Sequence, residues 1–157
     1  MGRSFETTHR IMSAIPSKDT RPEKALRREL WRRGLRFRKN YKGLPGKPDV
    51  VFTRVRIVVF CDGDFWHGHN WAIRGYGSLE EELKRYSVAW REKIQRNIAR
   101  DKRVTEQLTG LGWTVIRIWE SEIKADVTTC GDTIEYAYWN ALRNIRKDYE
   151  RDWDADE

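Results

Sequence analysis

With 157 residues the chain has the length of one compact domain around a single core, with little room for a second. Its 31 Lys and Arg against 24 Asp and Glu leave a formal charge of +7, so long-range electrostatics favours polyanions as partners. Cys61 and Cys130 stand in no zinc spacing and form no disulfide framework, and no apolar run reaches about 18 residues; the expectation is a protein of a reducing cytoplasm, without membrane insertion or secretion. Eight Trp exceed what so small a core needs, and indole stacks well on nucleic-acid bases.

Residues 1–19 are polar, with only Ile11, Met12 and Ile15 at helical spacing, and read as an arm or short helix before the main fold, its order dependent on a partner. Thr20-Arg21-Pro22-Glu23 is a capping box that opens a helix through Ala25, Leu26, Leu30 and Trp31 and stops at Gly34. Three stretches rich in Val, Ile and Phe follow, at 35–41, 48–53 and 56–61, and their short connections predict an antiparallel meander. Residues 63–77 have no clean period and read as a long loop, and Ser78 caps a further helix. A helix over 89–111 carries Trp90, Ile94, Ile98, Val104, Leu108 and Leu111 on one side and ends at Gly112; a fourth strand spans 113–119. An amphipathic helix over 132–153 closes the chain, with a frayed acidic tail from Asp152. The order predicts an α/β domain over residues 20–157, a mixed sheet between helical layers.

Carboxylates stand in unexpected places. Asp49, in Gly46-Lys47-Pro48-Asp49, opens an otherwise apolar strand, where an unpaired charge is costly, though a turn-capping Asp after Pro accounts for it equally well. The next strand runs into Asp62-Gly63-Asp64, which brings two more acids towards the same sheet end; hydrolysis of a phosphodiester needs such hard oxygen ligands for Mg²⁺, while Asp-Gly is also a common turn. Glu23 and Asp101 both fall on the apolar side of their helices. For Glu23 the capping box is a sufficient account; for Asp101 the rival is an internal ion pair with an arginine. His67 and His69 follow Asp62 closely, offering an imidazole as general base or a fragment of a zinc site with Cys61.

Phe65 and Trp66 are adjacent bulky rings on a polar, glycine-flanked loop, placed either to wedge into DNA or to anchor the loop. Lys93, Arg96, Arg100 and Arg103 cluster off the apolar face of the Trp90 helix, and Arg27, Arg28, Arg32 and Arg33 form a second basic patch; both suit phosphates.

In order and spacing, Ser13-Ala14-Ile15, residues 18–23, Gly46-Lys47-Pro48-Asp49, Phe60 through His69, Lys93-Ile94 with Asn97, Asp101-Lys102-Arg103, Leu111-Gly112-Trp113 and Ile118-Trp119-Glu120 resemble the bacterial very-short-patch-repair (Vsr) endonucleases of the PD-(D/E)XK superfamily. The resemblance implies a restriction-endonuclease-like three-layer fold. It implies a Mg²⁺-dependent nuclease that nicks one strand of double-stranded DNA beside a T:G mismatch, with mismatch-repair proteins as candidate partners. Asp49 would ligate the metal together with the Cys61 carbonyl, His67 would be the active-site imidazole, and Glu23 and Asp101 would be the outer acids. Phe65, Trp66 and Trp90 would be the DNA wedge, with Lys93, Arg96 and Arg100 beside it, and the N-terminal arm would grip the minor groove.

The departures from the family pattern shape this reading. Asp62 stands where the best-known members have histidine, and adds a candidate metal ligand. Asp64, Trp71 and Ser121 stand where they have zinc-binding cysteines, so that only His69 of that set is kept and no structural zinc is expected. The superfamily's downstream lysine is missing, and His67 takes its part. Residues 8–12 read Thr-His-Arg-Ile-Met, which alters the expected minor-groove contacts. Two rivals stay open: a strand-nicking relative serving restriction or mobile-element defence, and a catalytically silent DNA-binding module.

Overall fold

The computed structural model describes residues 10–11 and 18–155, so most of the expected arm lies outside the described residues. Helix α1 (Arg21–Arg32) starts at the capping box: the Thr20 hydroxyl accepts from the Glu23 amide, and the Glu23 carboxylate accepts from the Thr20 amide. Gly34 takes the left-handed turn after it, at φ 82°.

Strands β1 (Arg38–Lys39), β2 (Val50–Phe52) and β3 (Ile57–Asp62) form the antiparallel meander, and β4 (Thr114–Trp119) lies parallel to β3, giving the order β1-β2-β3-β4. Of residues 35–41 only two pair as strand. Leu35 and Phe37 turn into the core before pairing begins, and Asn40 at φ 47° breaks the extended backbone, although the Asn40 and Tyr41 amides still donate to the Asp49 and Pro48 carbonyls at 3.1 and 3.0 Å. The return from β3 to β4 runs through α2 (Asn70–Arg74), α3 (Leu79–Leu83) and α4 (Val88–Gly110), and α5 (Glu120–Ala125) and α6 (Val127–Ala155) finish the chain.

Alternation along the strands sorts the core into layers. Ile57, Val59 and Cys61 of β3, with Ile118 of β4, pack against Leu26 and Leu30 of α1 and Ile134 of α6. Val58 and Phe60, with Val51, face the other way onto Val104 and Leu108 of α4. Both faces of the sheet are covered, so all six residues of β3 are buried. A third cluster, Phe65, Leu83, Trp90 and Ile94, closes one end.

Three expectations are corrected. The segment 63–77 holds helix α2 in place of an unbroken loop. The final helix begins at Val127, five residues before the expected 132, because Asp126 accepts from both the amide and the hydroxyl of Thr129 and so supplies a start. Gly131 is tolerated within it because a Cβ there would lie 2.8 Å from Nε of Arg33, whose guanidinium lies across the helix to bond Asp132, Glu135 and the Thr128 carbonyl. The acidic tail continues the helix as far as Ala155.

Candidate active site

The carboxyl ends of β3 and β4 open into a pocket of about 650 Å³ between α1, the turn before β2 and α4. Gly46 sets the turn. Its φ of 76° is left-handed, and a Cβ would fall 2.5 Å from Val104 Cγ1, so only glycine lets the turn close on α4. Three residues on, Asp49 lies at the pocket wall, with its Oδ2 accepting a 2.7 Å hydrogen bond from the Cys61 amide. Burial, against which that hydrogen bond works, together with the charges of Glu23 and Asp62, pushes the Asp49 carboxyl up to about 7.

Glu23 is 3% exposed and also lines the pocket, so its capping role and a place at the site coincide. Burial raises its carboxyl despite the Thr20 amide and Arg27, whose Nη1 lies 3.6 Å away. Glu120, which the sequence placed in the family pattern without a role at the site, joins this group: it accepts a 3.1 Å hydrogen bond from the Thr20 hydroxyl.

Across the pocket, Nδ1 of His67 is hydrogen-bonded to Asp101 Oδ2, and Asp62 Oδ1 lies 3.8 Å from the same nitrogen. The ring's burial disfavours its charged form, but the Asp101 hydrogen bond and the charges of Asp62 and Asp101 outweigh it, so His67 titrates above its ordinary value. Asp62, Asp101 and His67 present ligand atoms within 4.8 Å of one another. The arginine foreseen as a rival for Asp101 is Arg117 of β4. Its Nη1 donates to both Asp62 oxygens at 3.0 and 2.9 Å, its Nη2 donates to the Asp101 carbonyl, and its Nε donates to Thr105.

Behind the pocket, Asp64 accepts from the amide and hydroxyl of Ser121, at 3.0 and 2.6 Å, and from His69 Nδ1 at 2.8 Å. The His69 ring stacks on Trp119 with centroids 4.1 Å apart. Asp64 and Ser121, two of the residues that stand in place of zinc-binding cysteines, are thus joined with the retained His69 by hydrogen bonds that tie the His67 loop to the start of α5.

Phe65 and Trp90 are each 8% exposed, packed edge to face at 5.0 Å, so both anchor the loop in the free protein. Trp66 forms the outer part of this cluster, half-buried, with Lys93 Nζ 4.4 Å from its ring. Arg96 is exposed on the same helix, and Arg100 lines the pocket with Lys18, Lys42 and Lys47.

A mixed sheet between helical layers, with acids from two strand ends and two helices gathered at one end of the sheet under a basic rim, defines a restriction-endonuclease-like nuclease. The family model described as DNA mismatch endonuclease Vsr matches residues 4–73. Type II nicking enzyme V.NmeDIP of Neisseria meningitidis serogroup C is 39% identical over 84% of this chain and 86% of its own. Type II nicking enzyme V.HpaIIP of Haemophilus parainfluenzae is 41% identical over 72% and 77%, and DNA mismatch endonuclease Vsr of Escherichia coli K12 is 37% identical over 75% and 72%. The chain belongs to the Vsr endonuclease family and is an enzyme acting on DNA.

Proposed function

We propose that this protein nicks one strand of duplex DNA beside a T:G mismatch, with Mg²⁺ as its cofactor. The observation that carries the nuclease reading is the pocket itself, where a carboxylate with a raised pKa and a His–Asp pair face each other beneath basic side chains. The donor set fits a small divalent cation: Asp49, Glu23 and Asp62 are close enough to raise the cost of ionising Asp49, and a cation among hard oxygens relieves that repulsion. Asp49 and the Cys61 carbonyl would hold it, with Asp62 and Glu23 beside them. The cation supplies positive charge that offsets the phosphate and makes water more acidic.

The remaining work belongs to the side chains. Donating Nδ1–H to Asp101 fixes the His67 tautomer and leaves the Nε2 lone pair to take a proton from water. Lys18, Lys42, Lys47 and Arg100 neutralise backbone phosphates around the scissile bond. The half-buried Trp66, under Lys93, is the ring best placed to meet an unstacked step. Mismatch-repair proteins are the protein partners such a role implies.

Target choice rests on the relatives. One is named a mismatch endonuclease and others type II nicking enzymes, and the latter name favours a second reading in which the nick serves a restriction system. A nicking assay with Mg²⁺ separates them, using matched duplexes, duplexes with one T:G pair in varied contexts, and Asp49→Ala as control. Nicking only beside the mismatch is expected. Equal nicking of matched DNA favours the restriction reading, and cleavage that survives Asp49→Ala refutes the site.

A further inference from the structure

Of the carboxylates around the pocket, Asp62 is the one, among the described residues, that accepts hydrogen bonds from an arginine; Glu23 and Asp101 have guanidinium nitrogens only at 3.6 and 3.8 Å. Asp49 accepts a hydrogen bond only from the Cys61 amide, at Oδ2, among the described residues. Asp62 is 5% exposed, and both of its oxygens accept from Nη1 of Arg117. The arginine is itself held on every side: Nε by Thr105, Nη2 by the Asp101 carbonyl, and the guanidinium plane over the Phe60 ring at 4.2 Å. Parallel pairing puts Arg117 opposite Phe60, two residues before Asp62 and on the same face of the sheet. A guanidinium fixed this way does not swing aside, and its charge repels any cation that would share the Asp62 oxygens.

We propose that Arg117 is a positioning residue of the nicking site: by engaging the Asp62 carboxylate it keeps Asp62 out of the cation's coordination and holds it as a fixed charge beside His67. The inference rests on the reading of the pocket as a divalent-cation site. It moves the ligand set onto Asp49 and the Cys61 carbonyl. It also gives Arg117 a second effect, because the same guanidinium grips the Asp101 backbone and so braces both acids that face Nδ1 of His67.

The test is Mn²⁺ binding to the full-length protein without DNA, followed by electron paramagnetic resonance, with circular dichroism confirming that each variant is folded. Asp62→Asn is expected to leave the Mn²⁺ affinity within about threefold of wild type, whereas Asp49→Asn loses about tenfold or more, since only the latter removes a ligand. Arg117→Met frees a carboxylate and removes a positive charge, and is expected to tighten Mn²⁺ by about tenfold; Arg117→Met with Asp62→Asn should lose that gain. A purely structural arginine would not make binding tighter. Arg117→Lys keeps the charge but cannot bond Asp62, Thr105 and the Asp101 carbonyl together, so it should fall between wild type and Arg117→Met; it carries the test if the methionine variant does not fold. Weakening of Mn²⁺ binding by about tenfold in Asp62→Asn, or no gain in folded Arg117 variants, overturns the proposal while leaving the metal site standing. Absence of any Asp49-dependent Mn²⁺ binding removes the metal reading and this one with it.

Discussion

His67 and Asp101 are 34 positions apart in sequence, and the hydrogen bond between Nδ1 and Oδ2 joins the loop after β3 to the middle of α4. The loop is held ready for it. Asn97 of α4 donates to the Trp66 carbonyl at 3.0 Å, and Gly68, at φ 74°, lies so close to Ile98 that a Cβ would come within 2.6 Å of it. The imidazole is thus oriented from one side by an acid on a rigid helix.

Asp101→Asn keeps the shape but lets the amide donate to Nδ1, which turns the neutral ring to the tautomer with its proton on Nε2. The base is then occupied. Single-turnover nicking is expected to fall by about 10²–10⁴-fold with duplex affinity little changed. A loss confined to binding would make Asp101 a structural acid.

Asp49→Asn should separate function from stability. The folded protein holds the Asp49 carboxyl at about 7, above its ordinary 3.8, so this group's contribution to stability is present below about 3.8 and is lost as pH rises through 7. Replacing it should therefore stabilise the metal-free protein at pH 8, by about 2–4 kcal/mol, with the gain gone near pH 4. Cleavage should vanish in the same variant. Thermal melts in chelator across this range check the first outcome, and a nicking assay checks the second.

Much of this site was legible in the chain because carboxylates in apolar settings demand an explanation. Glu23 and Asp101 fall on helix faces that Leu26, Leu30, Ile98 and Val104 mark as inward, and Asp49 interrupts an apolar strand. The structure brings all three to one pocket. Arg117 was not found, although the signal was present: in Thr114–Trp119 it is the one charge in an apolar strand, and alternation sets it on the Phe60 face. Its partner lies 55 residues away, and no local pattern encodes such a distance. Helix α5 was missed for the opposite reason. It is six residues long, and its start depends on Glu122 reaching back to the Trp119 amide directly at a strand end.

The aromatic cluster divides by burial. Phe65→Ala and Trp90→Ala empty positions that are 8% exposed and should each cost about 3–5 kcal/mol in denaturant melts. Trp66→Ala removes a half-buried ring and should cost less, while weakening the preference for T:G over matched duplex by about tenfold. An unchanged preference in a folded Trp66→Ala would assign that ring to loop anchoring alone.

Glu82 of α3 tests how the loop is supported from beneath. It is fully buried, neither carboxylate oxygen has a well-formed hydrogen bond, and the Tyr86 hydroxyl and Trp71 amide are the polar groups that temper its burial. Burial raises its pKa, and the same surroundings push Tyr86 up to about 12. A raised carboxyl contributes stability that is present below its ordinary 4.5 and fades as pH rises through the folded value. Glu82→Gln should accordingly melt higher than wild type at pH 8, by about 3 °C or more, and converge with it near pH 4. The nick rate should change little, since Glu82 lies outside the pocket that holds Asp49 and His67. A variant that melts lower at pH 8 would show that the ionised carboxylate is satisfied in the fold, and that α3 depends on its charge.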